Sequence, residues 1–288
     1  MTAIDQPADI LVLGATGKTG RLIVNALQSR NIPVRPGSRD AERPFSWQDR
    51  DGWDHALQGV RSVYIAYAPD LAVPGAPDDI AAFTDRARKA GVEQLVLLSG
   101  RGEPEAQASE TIIRQSGLRW TVIRSSWFFQ NFDQGAFQPM VTAGELALPV
   151  GQTAEPFIDI RDIADIAVAA LTGTEHDGQL YEVTGRQLLS FADIAALITE
   201  RTGRPVRHVD IPHQAFIDGA RAAGLPQDHV WLLDYLFSTV LDGRNARVMD
   251  GVERALGRPP RSFADYAASV PADAWAAAPA APAAGLAS

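Results

Sequence analysis

The 288-residue sequence carries 26 basic and 35 acidic residues, a formal net charge of −9, and no cysteine. It therefore has no disulfide framework, thiol nucleophile or iron–sulfur cluster, and no basic footprint of the kind nucleic-acid binders use. A hydrophobic fraction of 46% and a charged fraction of 21% belong to a folded globular chain, long enough for one large core with a subsidiary lobe.

Met1–Asp9 places acids at Asp5 and Asp9 where a secretory signal has basic residues, and no apolar run reaches the length of a membrane span. A cytoplasmic protein with no membrane association is expected. Ile10–Leu13 is a continuous apolar run ended by Gly14, as in a parallel strand covered on both faces. Residues 20–29 place Leu22, Ile23, Ala26 and Leu27 at helical spacing. A second strand starts at Pro33–Val34, a third is Val63–Ala66, and Asp78–Ala90 is a helix stopped by Gly91. Gln94–Leu98 is a fourth strand ending in Ser99–Gly100; Glu105–Gln115 is a helix, and Trp120–Ile123 a fifth strand. Strand–helix alternation with short connections predicts a Rossmann-type, doubly wound parallel sheet in the α/β class.

After Arg124 the rhythm loosens. Phe157–Ile160, Leu180–Val183 and Val206–Val209 read as short strands among helices at 162–171 and 191–202. The expected organisation is a dinucleotide-binding core over 1–129 and a smaller α/β substrate lobe over 130–270, interleaved with the core. Residues 271–288, rich in alanine and proline, read as a disordered tail.

The most informative segment is Gly14-Ala-Thr16-Gly17-Lys18-Thr19-Gly20, which joins a buried strand to a helix. The first glycine permits the tight turn, the second lets backbone approach a pyrophosphate, and the third allows close helix–strand packing. The helix N-terminus then presents N–H groups to the phosphates. An NTPase loop fails on spacing, because Val12 stands where that motif needs its first glycine. At the end of the second strand Ser38 and Arg39 precede Asp40; a hydroxyl and a guanidinium suit the 2′-phosphate of NADP(H) better than the bare ribose of NAD.

Only Lys18 and Lys89 are lysine, and none of the five tyrosines (64, 67, 181, 235, 266) has a lysine four residues later. The tyrosine–lysine acid of ordinary short-chain dehydrogenases cannot be built. The histidines at 55, 176, 208, 213 and 229 show no zinc spacing, so no metal site is expected. Ligands of an open parallel sheet sit beyond the carboxyl ends of its strands. Those ends offer Ala66-Tyr67-Ala68-Pro69, then Ser99-Gly100-Arg101, then Arg124-Ser125-Ser126-Trp127-Phe128-Phe129, which continues to Asn131. Ala66 and Ser99 are expected to line the cofactor, and Tyr67, Trp127, Phe128 and Asn131 the substrate pocket. The aromatic pair at 127 and 128 either stacks a flat substrate or plugs the lobe interface. Ser99, Arg101 and Tyr67 are the candidates to orient substrate or relay a proton.

With these segments the chain resembles the NmrA-like branch of atypical short-chain dehydrogenases/reductases, from Ile10 to about Ala267. The carriers are Gly14–Gly20, Ser38-Arg39, the segments 110–124 and 127–132, Phe157-Ile-Asp159-Ile-Arg-Asp162 and Tyr181–Gly185. Within it, Phe45-Ser-Trp47 and the late segment 252–266 look most like the reductases of ergot-alkaloid biosynthesis and their bacterial relatives. The resemblance implies NADP(H) and cofactor roles for Gly14, Thr16, Gly17, Lys18, Thr19, Ser38 and Arg39, with pocket roles near Ser99 and Trp127. Without a positioned acid, hydride goes most readily to a preactivated acceptor: an iminium, a quinone or an enone, in secondary metabolism. The rivals are a non-catalytic NADP(H) sensor and an isomerase or cyclase. The expected partner is a small molecule, and a homodimer the expected assembly.

Overall fold

The computed structural model describes residues 10–271 and 273–276. The acids at 5 and 9 and most of the expected tail, 277–288, lie outside the described residues. The first half runs β1 (Ile10–Leu13), α1 (Lys18–Ser29), β2 (Val34–Gly37), α2 (Trp53–Leu57), β3 (Ser62–Ile65), α3 (Ala76–Lys89), β4 (Gln94–Gly100), α4 (Pro104–Arg114) and β5 (Arg119–Ser125). Beyond it come α5 (Asn131–Gln134), α6 (Gln138–Ala143), β6 (Glu145–Leu148), β7 (Ala154–Glu155), α7 (Ile160–Thr172) and β8 (Gln179–Val183). The chain continues through β9 (Leu189–Ser190), α8 (Phe191–Thr202), β10 (Arg207–Asp210), α9 (His213–Ala222), α10 (Gln227–Tyr235), α11 (Gly251–Leu256) and α12 (Phe263–Ser269).

Six strands form one parallel sheet in the order β2-β1-β3-β4-β5-β8. Side chains of a strand alternate between faces, and here each face has its own core. Leu11, Leu13, Val63, Leu95 and Leu97 pack against α2, α3 and α4. Ile10, Val12, Tyr64, Val96 and Ile123 pack against α1, α7 and α11. Covered on both sides, the strands read as unbroken apolar runs. The order reverses at β1, which has β2 on one side and β3 on the other, so a crevice opens beyond the ends of β1 and β3.

A third cluster, rich in aromatic rings, is built from 129–157, 189–241 and 263–275, and Trp127 and Leu236, packed against it, line the cavity at the strand ends. β6 and β10 pair in parallel within this lobe, and β7 pairs antiparallel with β9. Several expectations change here. Leu180–Val183 is an edge strand of the main sheet and not part of the lobe, because β5 offers it a free edge. Phe157–Ile160 is not a strand. Ile158 makes one isolated bridge with Phe128, and Ile160 already opens α7. The cap of that helix is Asp159, whose side chain accepts from Arg161 N at 2.9 Å. Asp162, where the sequence pattern starts this helix, lies instead in its first turn and is buried, accepting from Arg258 at 2.8 Å and from the backbone N–H of Arg261 at 2.7 Å. The tail does not start at Pro271: Trp275 is 4% exposed, packs on Tyr266, and donates Nε1 to Phe132 O at 3.0 Å.

Candidate active site

The loop after β1 is shaped by its glycines. Gly14 takes φ +69°, where a side chain is strained, and its carbonyl accepts from Gly17 N at 2.9 Å. A Cβ at Gly20 would lie 2.1 Å from the Gly14 oxygen, so only glycine lets α1 start this close to β1. Gly17 caps α1 with no capping side chain, and Thr16 and Gly17 are exposed. First-turn N–H groups without a capping side chain, a dipole end and an open backbone surface fit a dinucleotide pyrophosphate. Thr19 is placed differently from its neighbours. It is buried, and its Oγ1 accepts from the Tyr64 hydroxyl at 2.9 Å, which fixes the loop from below. Beyond β2, Ser38 is half-buried and Arg39 exposed, while the Gly37 carbonyl reaches Ala15 N at 3.4 Å, so the end of β2 adjoins the loop.

Next to this loop lies a cavity of about 310 Å³ at the carboxyl ends of β3, β4 and β5. Lys18 and Ala66 line it on the loop side, with Tyr67, Ser99, Arg101, Trp127, Phe128 and Asn131 around it. The strand-end residues expected in the pocket therefore converge. Their polar groups are largely taken. Tyr67 donates its hydroxyl to Asp79 at 2.6 Å, and burial together with that carboxylate pushes its pKa up. Ser99 donates to Glu110 at 2.7 Å. Arg101 donates to Glu182 at 2.8 Å and to the carbonyl of Asn245 at 3.1 Å, pinning β4 to β8 and a late loop. Trp127 stacks on Phe137 at 6.1 Å between ring centroids, so it both walls the cavity and anchors the lobe. Lys18 turns into the cavity, where Nζ donates to Asn131 Oδ1 at 3.0 Å; burial lowers its pKa. Lys89 is remote, an exposed partner of Asp85 on α3.

The cavity also contains residues that strand-end reasoning missed. Asp70 and Glu103 both line it and are hydrogen-bonded to each other. Burial and the neighbouring Asp70 carboxyl push Glu103 well above the ordinary carboxylate range, and burial raises Asp70. Ser126, which belongs to the strand-end segment 124–129, lines it too, and behind Ser126 sits Glu155, fully buried, which that reasoning did not reach. A sequence signal existed for Glu155, a lone charge abutting the apolar stretch Pro156-Phe-Ile158. Among the described residues no group of His, Asp or Glu converges as metal ligands, and no helix is long and apolar enough to cross a membrane.

Comparison with known proteins agrees with this architecture. A family model described as NAD(P)H-binding matches residues 14–174, and the NmrA-like family model matches 107–248. The chain is 32% identical to the NAD(P)H azoreductase of Xenophilus azovorans, over 90% of this chain and 96% of that one. It is 29% identical to agroclavine dehydrogenase of Claviceps fusiformis, over 89% of this chain and 95% of the relative. The Citrobacter sp. triphenylmethane reductase, solved with NADP(H), shares the fold with a TM-score of 0.76 at 18% identity, covering 91% of this chain and 100% of that chain. The chain belongs to the NAD(P)H-binding, NmrA-like family of atypical short-chain dehydrogenases/reductases.

Proposed function

We propose that the protein is an NADP(H)-dependent reductase that delivers hydride to a flat, preactivated acceptor, a cyclic iminium, a quinone or an enone, in secondary metabolism. One observation carries this reading. The cavity beside the glycine loop has ring walls at Tyr67, Trp127 and Phe128, while Ser99, Tyr67 and Arg101 are tied to protein partners. A site that orients a ring but spends its polar groups on its own scaffold suits an acceptor needing little activation. Positioning then contributes most of the rate, up to roughly 7–11 kcal/mol. Bound NADPH supplies the hydride. Gly14, Gly17 and Gly20 shape the phosphate cradle, Thr16 borders it, Thr19 and Ala66 support it, and Lys18 closes it on the cavity side. The relatives named as an NAD(P)H azoreductase and an agroclavine dehydrogenase support a redox reaction on a small molecule.

The assay is loss of NADPH absorbance with a panel of quinones, cyclic iminium ions and enones. Turnover above the uncatalysed rate is expected for at least one class; tight NADPH binding with no turnover would replace the reductase with a cofactor sensor. Cofactor choice rests on Ser38 and Arg39. Arg39→Ala is expected to weaken NADPH about 10-fold relative to NADH, the about 1.4 kcal/mol of one exposed charge-assisted contact. Calorimetric titration with both cofactors checks this, and an unchanged ratio would move the discrimination elsewhere.

A further inference from the structure

We propose that Glu155 supplies, through the hydroxyl of Ser126, the proton that a neutral acceptor takes up in the cavity. This rests on the reductase reading and adds to it a proton source and a division between acceptor classes. Glu155 lies in β7 with its side chain 0% exposed; Oε1 has no hydrogen-bond partner, and Oε2 accepts from Ser126 Oγ at 3.4 Å. A buried carboxylate with an orphaned oxygen is costly, and protonation removes most of that cost. Ser126 is 3% exposed yet lines the cavity. A serine hydroxyl accepts on one side and donates on the other, which joins a sealed carboxyl to the acceptor's space.

The surrounding charges leave this carboxyl poised. Arg101, beyond β4, and Asp242, after the 236–240 turn, are the charged groups that face it. Arg101 is engaged by Glu182, and Asp242 by Arg244 at 2.7 Å. Burial outweighs Arg101 and Ser126 and raises the Glu155 pKa to about 7. The other acids near the cavity are less able to give up a proton. The hydroxyls of Ser99 and Tyr67 are donated to Glu110 and Asp79, carboxylates that Arg124 and Arg50 hold as ion pairs, whereas a protonated Glu155 turns its bond with Ser126 round and leaves the Ser126 hydroxyl to donate into the cavity. The Asp70–Glu103 proton lies between two carboxyls, and its loss would leave two adjacent buried anions.

The step balances simply. A quinone or enone gains a hydride from NADPH, which is oxidised, and becomes anionic at oxygen. The Ser126 O–H bond breaks toward that oxygen as the Glu155 O–H bond breaks toward Ser126 Oγ. Serine ends neutral, Glu155 ends as a carboxylate facing Arg101, and solvent restores its proton between turnovers. An iminium ion becomes a neutral amine on gaining hydride and needs no proton.

The test uses the full-length chain with menadione and the N-methyl-dihydroisoquinolinium cation, comparing wild type with Glu155→Gln and Ser126→Ala. The ratio of menadione to iminium turnover is expected to fall about 100-fold in each variant, the lower end of what a positioned acid contributes. A merely structural role would lower both rates together. Infrared spectra of the cofactor-free protein add a second readout: a protonated-carboxyl band that titrates at about 7 in wild type and is missing in Glu155→Gln. An unchanged ratio, or a carboxyl already ionised at neutral pH, would overturn the relay while leaving the reductase in place. Reduction of neither acceptor by wild type would overturn the reductase reading, and the relay with it.

Discussion

Replacing Gly20 with alanine is expected to weaken NAD(P)H binding on the order of 1000-fold, about 4 kcal/mol. The new Cβ would lie 2.1 Å from the oxygen and 2.7 Å from the carbon of Gly14, and 2.9 Å from the Ala15 Cα. All three atoms are backbone, so no rotamer change relieves the contact. Either α1 moves off β1 or the loop opens. Both displace the uncapped first turn that fits the pyrophosphate, and losing two charge-assisted contacts there is worth roughly that energy. Gly17→Ala is the graded comparison, since its Cβ would meet the same oxygen at 3.1 Å and ask only a small shift. Gly219, in α9 with nothing within 4 Å of a Cβ, is the control; alanine there should leave cofactor affinity alone. Isothermal titration and thermal unfolding of the three variants separate binding from folding. Wild-type affinity in a folded Gly20→Ala protein would show that the loop does not hold the cofactor.

The sequence speaks clearly where structure is local and periodic. Ile10–Leu13 is legible because a strand covered on both faces is apolar throughout, and Gly14–Gly20 because its backbone demands are written as glycines at fixed spacing. Strand-end residues such as Tyr67, Ser99 and Trp127 follow from topology alone, and they do line one cavity. What they touch was not legible. Ser99 meets Glu110 and Tyr67 meets Asp79, through contacts that leave no period in the chain. Placement of β8 depends on β5 having a vacant edge, which only the assembled sheet reveals. Asp159 and Asp162 flank one arginine, and choosing the cap between them requires the backbone angles of Asp159. Trp275 sits in an alanine-rich stretch whose composition argues for disorder, yet one indole finds a slot against Tyr266. Buried carboxyls are the largest omission. Asp70 and Glu103 look like ordinary surface acids until burial and neighbours are known, and Glu155 differs from them in sequence only by abutting an apolar stretch.

Glu155→Gln should also stabilise the protein increasingly as pH rises, by about 3 kcal/mol between about pH 5 and about pH 8. The Glu155 pKa rises from an ordinary 4.5 to about 7 on folding because burial disfavours its charged form. Between those values the unfolded chain has released the proton that the folded chain still holds, so stability falls as pH rises, and it levels off above the folded value. The stabilising contribution is thus fully present below about 4.5 and gone above about 7. Glutamine is nearly isosteric and cannot ionise, so its variant escapes the loss. Asp70, Glu103 and Asp133 are also raised and also make the wild type weaker at high pH, but both proteins carry them and the difference cancels their effect. Urea unfolding of both proteins across the window measures the difference directly. A constant difference would mean that Glu155 is ionised throughout, and such a carboxylate has no proton to lend. A difference that grows with pH would mean that the folded protein keeps a proton one hydroxyl away from the cavity at an energetic cost, as a group retained for chemistry and not for packing would.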